Sequence, residues 1–130
     1  MHSLKDAQLT QSVALAAAGA SASTAPLDLS QPPPNEHSFE VELALPDLAD
    51  LADGKSVTAT LEDSEDGESF AAIPELAEFT VTGSGGNGSN AATRRVRLPS
   101  SARRHLRATV ATEAAAGDLT AHKLTLALVF

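Results

Sequence analysis

The stretch Gly83-Ser84-Gly85-Gly86-Asn87-Gly88 has the GxGxxG spacing with which a strand-to-helix turn cradles a pyrophosphate. That chemistry needs a helix after the glycines, because helix N-terminal N–H groups bind the phosphate. Here Ser89 to Thr93 leads into Arg95-Val96-Arg97-Leu98, which alternates like a strand, and no Lys-Ser or Lys-Thr pair follows for a P-loop. The glycines are therefore expected to form a flexible hairpin loop. A second candidate is Glu62-Asp63-Ser64-Glu65-Asp66-Gly67-Glu68, with five carboxylates. Setting Gly67 at the invariant glycine of an EF-hand loop puts Glu62 first, Ser64 third and Ile73 where the bidentate Glu must stand. The run reads as a solvated acidic turn, and no metal site is assigned. The four histidines, His2, His37, His105 and His122, show no His-x-x-x-His pair, although His105 and His122 could meet across paired strands. No Gly-x-Ser-x-Gly elbow occurs, while a Ser-His-Asp triad is a matter of geometry that spacing leaves open. The chain is read as non-enzymatic, with no catalytic residue and no cofactor.

Charge placement is more informative. The segment from Glu36 to Glu78 holds thirteen acidic residues and one lysine, whereas Arg94 to Arg107 holds all six arginines and no acid. By strand parity, Arg95 and Arg97 point away from the Val96 and Leu98 face, and Arg103, His105 and Arg107 away from the Leu106 and Ala108 face. If Pro99-Ser100-Ser101 turns a hairpin, then Arg95, Arg97, Arg103 and Arg107 make one basic stripe on an outer sheet face. Such a stripe is either a solvated strand pair with weak ion pairs or a docking surface, for which Arg offers a bidentate fit to carboxylates.

The elements that would carry these residues are strands. Phe39, Val41, Leu43 and Leu45 alternate with Glu40 and Glu42, and Val57, Ala59 and Leu61 repeat the period. Phe79 and Val81, Val96 and Leu98, then Leu106, Ala108 and Val110 continue it, and Leu124, Leu126, Leu128 and Phe130 close the chain. Turn formers separate the runs at Asp53-Gly54, Asp66-Gly67, Gly83 to Asn90, Pro99-Ser100-Ser101 and Gly117-Asp118. About seven or eight short strands at this spacing predict an all-β antiparallel sandwich or barrel. Asp47 to Asp53, Thr112 to Ala116 and the Ala-rich Val13 to Ala18 are the only stretches with helical propensity, each too short to form a helix unaided. Residues 1–30 are read as an extended N-terminal arm or edge segment, bounded by Gln31-Pro32-Pro33-Pro34, with 31–130 as the domain.

Composition bounds the function. With 130 residues the chain holds one domain, and with no cysteine it has neither disulfides nor thiolate sites. A net charge of −8 and only four aromatics, all Phe, oppose nucleic acid and anionic membranes as partners. Val13 to Ala18 followed by Ala20-Ser21-Ala22 has the look of a leader and cleavage site, but Asp6, Gln8, Thr10, Gln11 and Ser12 interrupt the apolar run such a leader needs.

The body of the chain resembles the small jelly-roll cement, or decoration, proteins of tailed-phage capsids, similar to that of the short-tailed Bordetella phage group. The likeness runs in order through Asp6-Ala7-Gln8, Leu27-Asp28-Leu29, Phe39-Glu40-Val41-Glu42-Leu43, Val57-Thr58-Ala59-Thr60-Leu61 and Asp63-Ser64-Glu65-Asp66-Gly67. It closes on Val96-Arg97-Leu98-Pro99, Arg103-Arg104-His105-Leu106-Arg107 and the apolar strand after Gly117. The chain departs from the family pattern at His105, where an aromatic is usual, and in a longer Gly83 to Asn90 loop. The resemblance implies a jelly-roll β-sandwich on the outer surface of the virion capsid. It also implies a homo-oligomer, taken as a dimer, that clamps neighbouring major capsid protein subunits. The alternative is a secreted or surface β-sandwich binding module.

Overall fold

Strand alternation needs partners to satisfy both edges of the backbone, and the computed structural model supplies them in two antiparallel sheets. It describes residues 5–28, 40–73, 78–97 and 105–129, and among these there is no helix. The strands are β1 (Lys5–Ala14), β2 (Ser21–Ser23), β3 (Leu27–Asp28), β4 (Glu40–Leu45), β5 (Ser56–Ser64), β6 (Ala71–Ala72), β7 (Phe79–Thr82), β8 (Ala92–Val96), β9 (His105–Thr112) and β10 (Lys123–Val129). One sheet has the order β1-β10-β4-β8. The other is built on β9 and β5, with β2 and β3 both paired to β9, and β6 and β7 both paired to β5. The chain is all-β, and its two sheets make a β-sandwich-like pair around one core.

Parity puts the expected side chains inside. Val41, Leu43 and Leu45 of β4 and Leu124, Leu126 and Leu128 of β10 meet Val57, Ala59 and Leu61 of β5 and Leu106, Ala108 and Val110 of β9. Phe39, Leu98 and Phe130 lie outside the described residues. The N-terminal residues form no helix. Val13 and Ala14 belong to β1 and pair with Leu124 and Lys123, and Leu15 is buried in the core. Residues 5–28 thus line the edges of both sheets, through β1 on β10 and through β2 and β3 on β9.

One end of the sandwich is closed by loops that hold each other through backbone bonds. In the β4–β5 connection, Leu48 and Ser89 exchange bonds of 2.9 and 3.1 Å, the Gly54 N–H donates to Gly83 O at 2.9 Å, and the Ala52 N–H donates to Ala116 O at 2.9 Å. Those partners outcompete a short helix over 47–53, whose carbonyls would otherwise be satisfied within one turn. The 83–90 stretch corrects the expectation of a flexible hairpin tip. It carries the chain from β7 in one sheet to β8 in the other, and Gly88 packs so closely that a Cβ would overlap the Leu48 carbonyl oxygen. Gly88 also has φ +67°, so glycine is required there on two counts.

Thr112 faces inward opposite Val57, is 3% exposed, and its Oγ1 has no hydrogen-bond partner among the described residues. An unsatisfied buried hydroxyl costs about 1–3 kcal/mol. Thr112→Val, which keeps the shape and removes the hydroxyl, is expected to raise the urea midpoint without changing the m-value. An unchanged or lowered midpoint would show that this hydroxyl is not a liability.

Candidate functional site

Arg94 and Arg95 lie in β8, an edge strand of one sheet, Arg97 directly follows it, and Arg107 lies in β9, a central strand of the other, while Arg103 and Arg104 are outside the described residues. β8 pairs with β4, while β9 pairs with β5, β2 and β3. β8 and β9 are therefore not paired with each other as the expected hairpin requires, and the single basic stripe is corrected; the turn at Pro99-Ser100-Ser101 itself lies outside the described residues. Arg95 and Arg97 belong to one sheet and Arg107 to the other, and Arg103 lies outside the described residues. The reason is register. Arg95 stands opposite Glu42 across β8 and β4, and Arg107 opposite Glu62 across β9 and β5. Each guanidinium thus finds a carboxylate on its neighbouring strand instead of a second guanidinium.

Both pairs are close. Arg95 Nε donates to Glu42 Oε2 at 2.8 Å, with the Glu42 side chain only 6% exposed and Arg95 42% exposed. Arg107 Nε donates to Glu62 Oε1 at 2.8 Å, and its guanidinium stacks on Phe70 at 4.1 Å from the ring centroid. The same Glu62 oxygen accepts from Thr109 Oγ1 at 2.7 Å, and Thr109 in turn bonds Ser23 Oγ at 2.9 Å, tying β2, β9 and β5 together on the outer face. Arg97 is exposed beyond the end of β8, and among the described residues it makes no ion pair. Of the expected interface arginines, Arg97 is the described one whose charge faces outward uncommitted.

Sequence reasoning passed over Arg94. It lies on the same parity as Ala92 and Val96, its guanidinium sits 5.4 Å from the Phe79 ring centroid, and Nη1 donates to Glu78 O at 3.0 Å. Arg94 thereby bridges the side of the sandwich where the edges β8 and β7 approach. Its signal was its parity with Val96, which points it inward.

The acidic run is only partly a solvated turn. Glu62, Asp63 and Ser64 belong to β5, and Asp63 and Ser64 are buried. Asp66 turns its carboxylate back on its own loop, where Oδ1 accepts from Glu68 N at 2.8 Å, Ser69 N at 3.0 Å and Ser64 Oγ at 2.8 Å. The Ser69 and Glu68 amides, then the Ser64 hydroxyl, hold this carboxyl well below the ordinary carboxylate range. Among the described residues no three His, Asp or Glu side chains are gathered as metal ligands. His105 and His122 do not meet across paired strands either, since His105 is in β9 and His122 directly precedes β10 in the other sheet. A cleft of about 510 Å³ between β7 and the 83–92 segment is lined by Val81, Thr82, Ser84, Asn87, Asn90 and Ala92 among others, and among the described residues no charged side chain lines it. No protein-family model matches this sequence, and no curated protein is measurably similar to it.

Two outcomes follow from this geometry. Arg95→Ala removes a 2.8 Å charge-assisted bond to a nearly buried carboxylate and is expected to cost about 1–3 kcal/mol in urea unfolding, whereas Arg97→Ala should stay within about 0.5 kcal/mol. Equal effects would contradict the assignment of a structural and an outward-facing arginine. The Asp66 carboxyl is lowered by folding, so its contribution to stability is present above the unfolded value of about 3.9 and fades as pH falls through the folded value. An NMR titration should place Asp66 below the ordinary carboxylate range, and Ser64→Ala should raise it; an ordinary midpoint would mean that the turn is open in solution.

Proposed function

We propose that this chain is a jelly-roll capsid cement protein, which binds the outside of an icosahedral phage head and clamps neighbouring major capsid subunits. The observation that carries the reading is strand order. Taking β2 with β3 and β6 with β7, the eight strand positions fall into two sheets as β1-β10-β4-β8 and β2/3-β9-β5-β6/7, an order that supports reading the fold as the double Greek key of a jelly roll. That architecture supports the sequence likeness to the cement family, although fold alone does not carry function. The role is structural and non-enzymatic, and its partners are the major capsid protein and a second copy of the chain. Residues 1–30 serve in this reading as an edge segment, with β1 on the rim of its sheet available to a neighbour.

The register narrows the adhesive surface. Arg95 and Arg107 are held by Glu42 and Glu62, so Arg97 is, among the described interface arginines, the cation offered to carboxylates on the shell. A rim charge of this kind acts on association and its salt dependence more than on the fold.

The test is co-sedimentation of the purified protein with empty heads of the phage that encodes it, across a salt series and alongside its solution mass. Saturable binding of a defined oligomer that weakens with salt is expected, and Arg97→Glu should lower occupancy roughly tenfold, or about 1.4 kcal/mol. A monomer that ignores the heads would favour the secreted or surface binding module, and unchanged occupancy in Arg97→Glu would remove Arg97 from the contact.

A further inference from the structure

We propose that Asn87 is a site of spontaneous covalent modification, deamidation through a cyclic imide, and that its conversion unlatches the loop end of the sandwich. Asn87 is exposed and is followed by Gly88, so no side chain obstructs approach of the next backbone nitrogen to the Asn87 amide carbon. Among the described residues the Gly88 N–H donates no hydrogen bond, although Gly88 O accepts from Ser84 N at 3.1 Å. Asn90 is the internal contrast. It is also exposed, but Ala91 follows it, and the Ala91 N–H donates to Asp47 Oδ1 at 2.6 Å. A peptide nitrogen bound to a carboxylate resists both the loss of its proton and the rotation that attack requires.

The chemistry balances with water as the only co-reactant. The Gly88 nitrogen bonds to Asn87 Cγ, the Cγ–Nδ2 bond breaks, and ammonia leaves with the proton that Gly88 gave up. Water then adds to one carbonyl of the five-membered imide and opens it to aspartate or, with the main chain rerouted through the side-chain carbon, to isoaspartate. No electron transfer is involved.

The position gives this small change a structural consequence. The rerouted chain has one more backbone atom just before Gly88, where there is no room for even a Cβ beside the Leu48 carbonyl. The reciprocal Leu48 and Ser89 bonds next to it are the latch on the β4–β5 connection. The new carboxylate also joins an end that already carries exposed Asp47, Asp50 and Asp53, the last of which accepts the Gly86 N–H at 2.9 Å. Like charge and a lengthened backbone both act to open the same contact.

The experiment incubates the folded full chain at mildly alkaline pH beside a urea-unfolded control and follows Asn87 and Asn90 by peptide mass and isoaspartate labelling. Asn87 is expected to convert in the folded chain at least roughly tenfold faster than Asn90, a barrier difference of about 1.4 kcal/mol. Amide exchange at Leu48 and Ser89 should quicken in the aged protein and stay unchanged in aged Asn87→Gln. An Asn87 that survives in the folded chain while the unfolded control converts would overturn the site. Conversion that leaves exchange at Leu48 and Ser89 unaltered would overturn the unlatching.

Discussion

The cross-strand pairing of glutamate with arginine is the constraint on which the architecture turns. The chain is electrically divided, with its arginines gathered into one short segment and most of its carboxylates into an earlier one. Folding does not leave the two as opposing surfaces. It lays β8 against β4 and β9 against β5, so that basic strands are interleaved with acidic ones in both sheets. Opposite charges facing each other in a ladder each contribute only about 0.2–1 kcal/mol, but pairing β8 with β9 would have set guanidinium beside guanidinium. The pairs therefore act on partner choice more than on total stability, which the buried leucines and valines of both sheets supply.

That division also separates the arginines by role. Arg95 and Arg107 neutralise carboxylates, Arg94 spans the rim between β8 and β7 over Phe79, and Arg97 is turned to solvent. In the proposed role, this outward cation of a chain with net charge −8 is the group that would meet a carboxylate-bearing partner. The loop end behaves differently. Its backbone bonds join the 46–55, 83–91 and 113–122 connections, and Gly88 sets how closely they approach.

Much of this was legible in the sequence and some could not be. Period-two alternation located β4, β5, β9 and β10 and their buried faces, because each strand reports its own parity locally. Parity also placed Arg95 and Arg97 away from the core. Which strand lies beside which is a non-local property, and the turn-like Pro99-Ser100-Ser101 invited a hairpin between strands that belong to different sheets. Glu42 read as solvent-facing, yet its strand is interior to its sheet and flanked by Ala127 and Arg95, which leaves the carboxylate nearly buried. Residues 1–30 read as an arm or edge segment because they are rich in Ala, Ser and Thr and are bounded by Gln31-Pro32-Pro33-Pro34, and only pairing with β10 and β9 assigns the described ones to the sheets.

The central claim, that arginine–glutamate register selects the strand partners, is tested most directly by exchanging the charges. Glu62→Arg and Arg107→Glu would be made singly and together, and unfolding followed in urea at low and high salt. Each single change is expected to be destabilising and the exchanged pair to recover at least half of the loss, with a coupling that shrinks in salt. Additive losses, with no recovery in the exchanged protein, would contradict that claim and leave apolar packing alone to choose the partners.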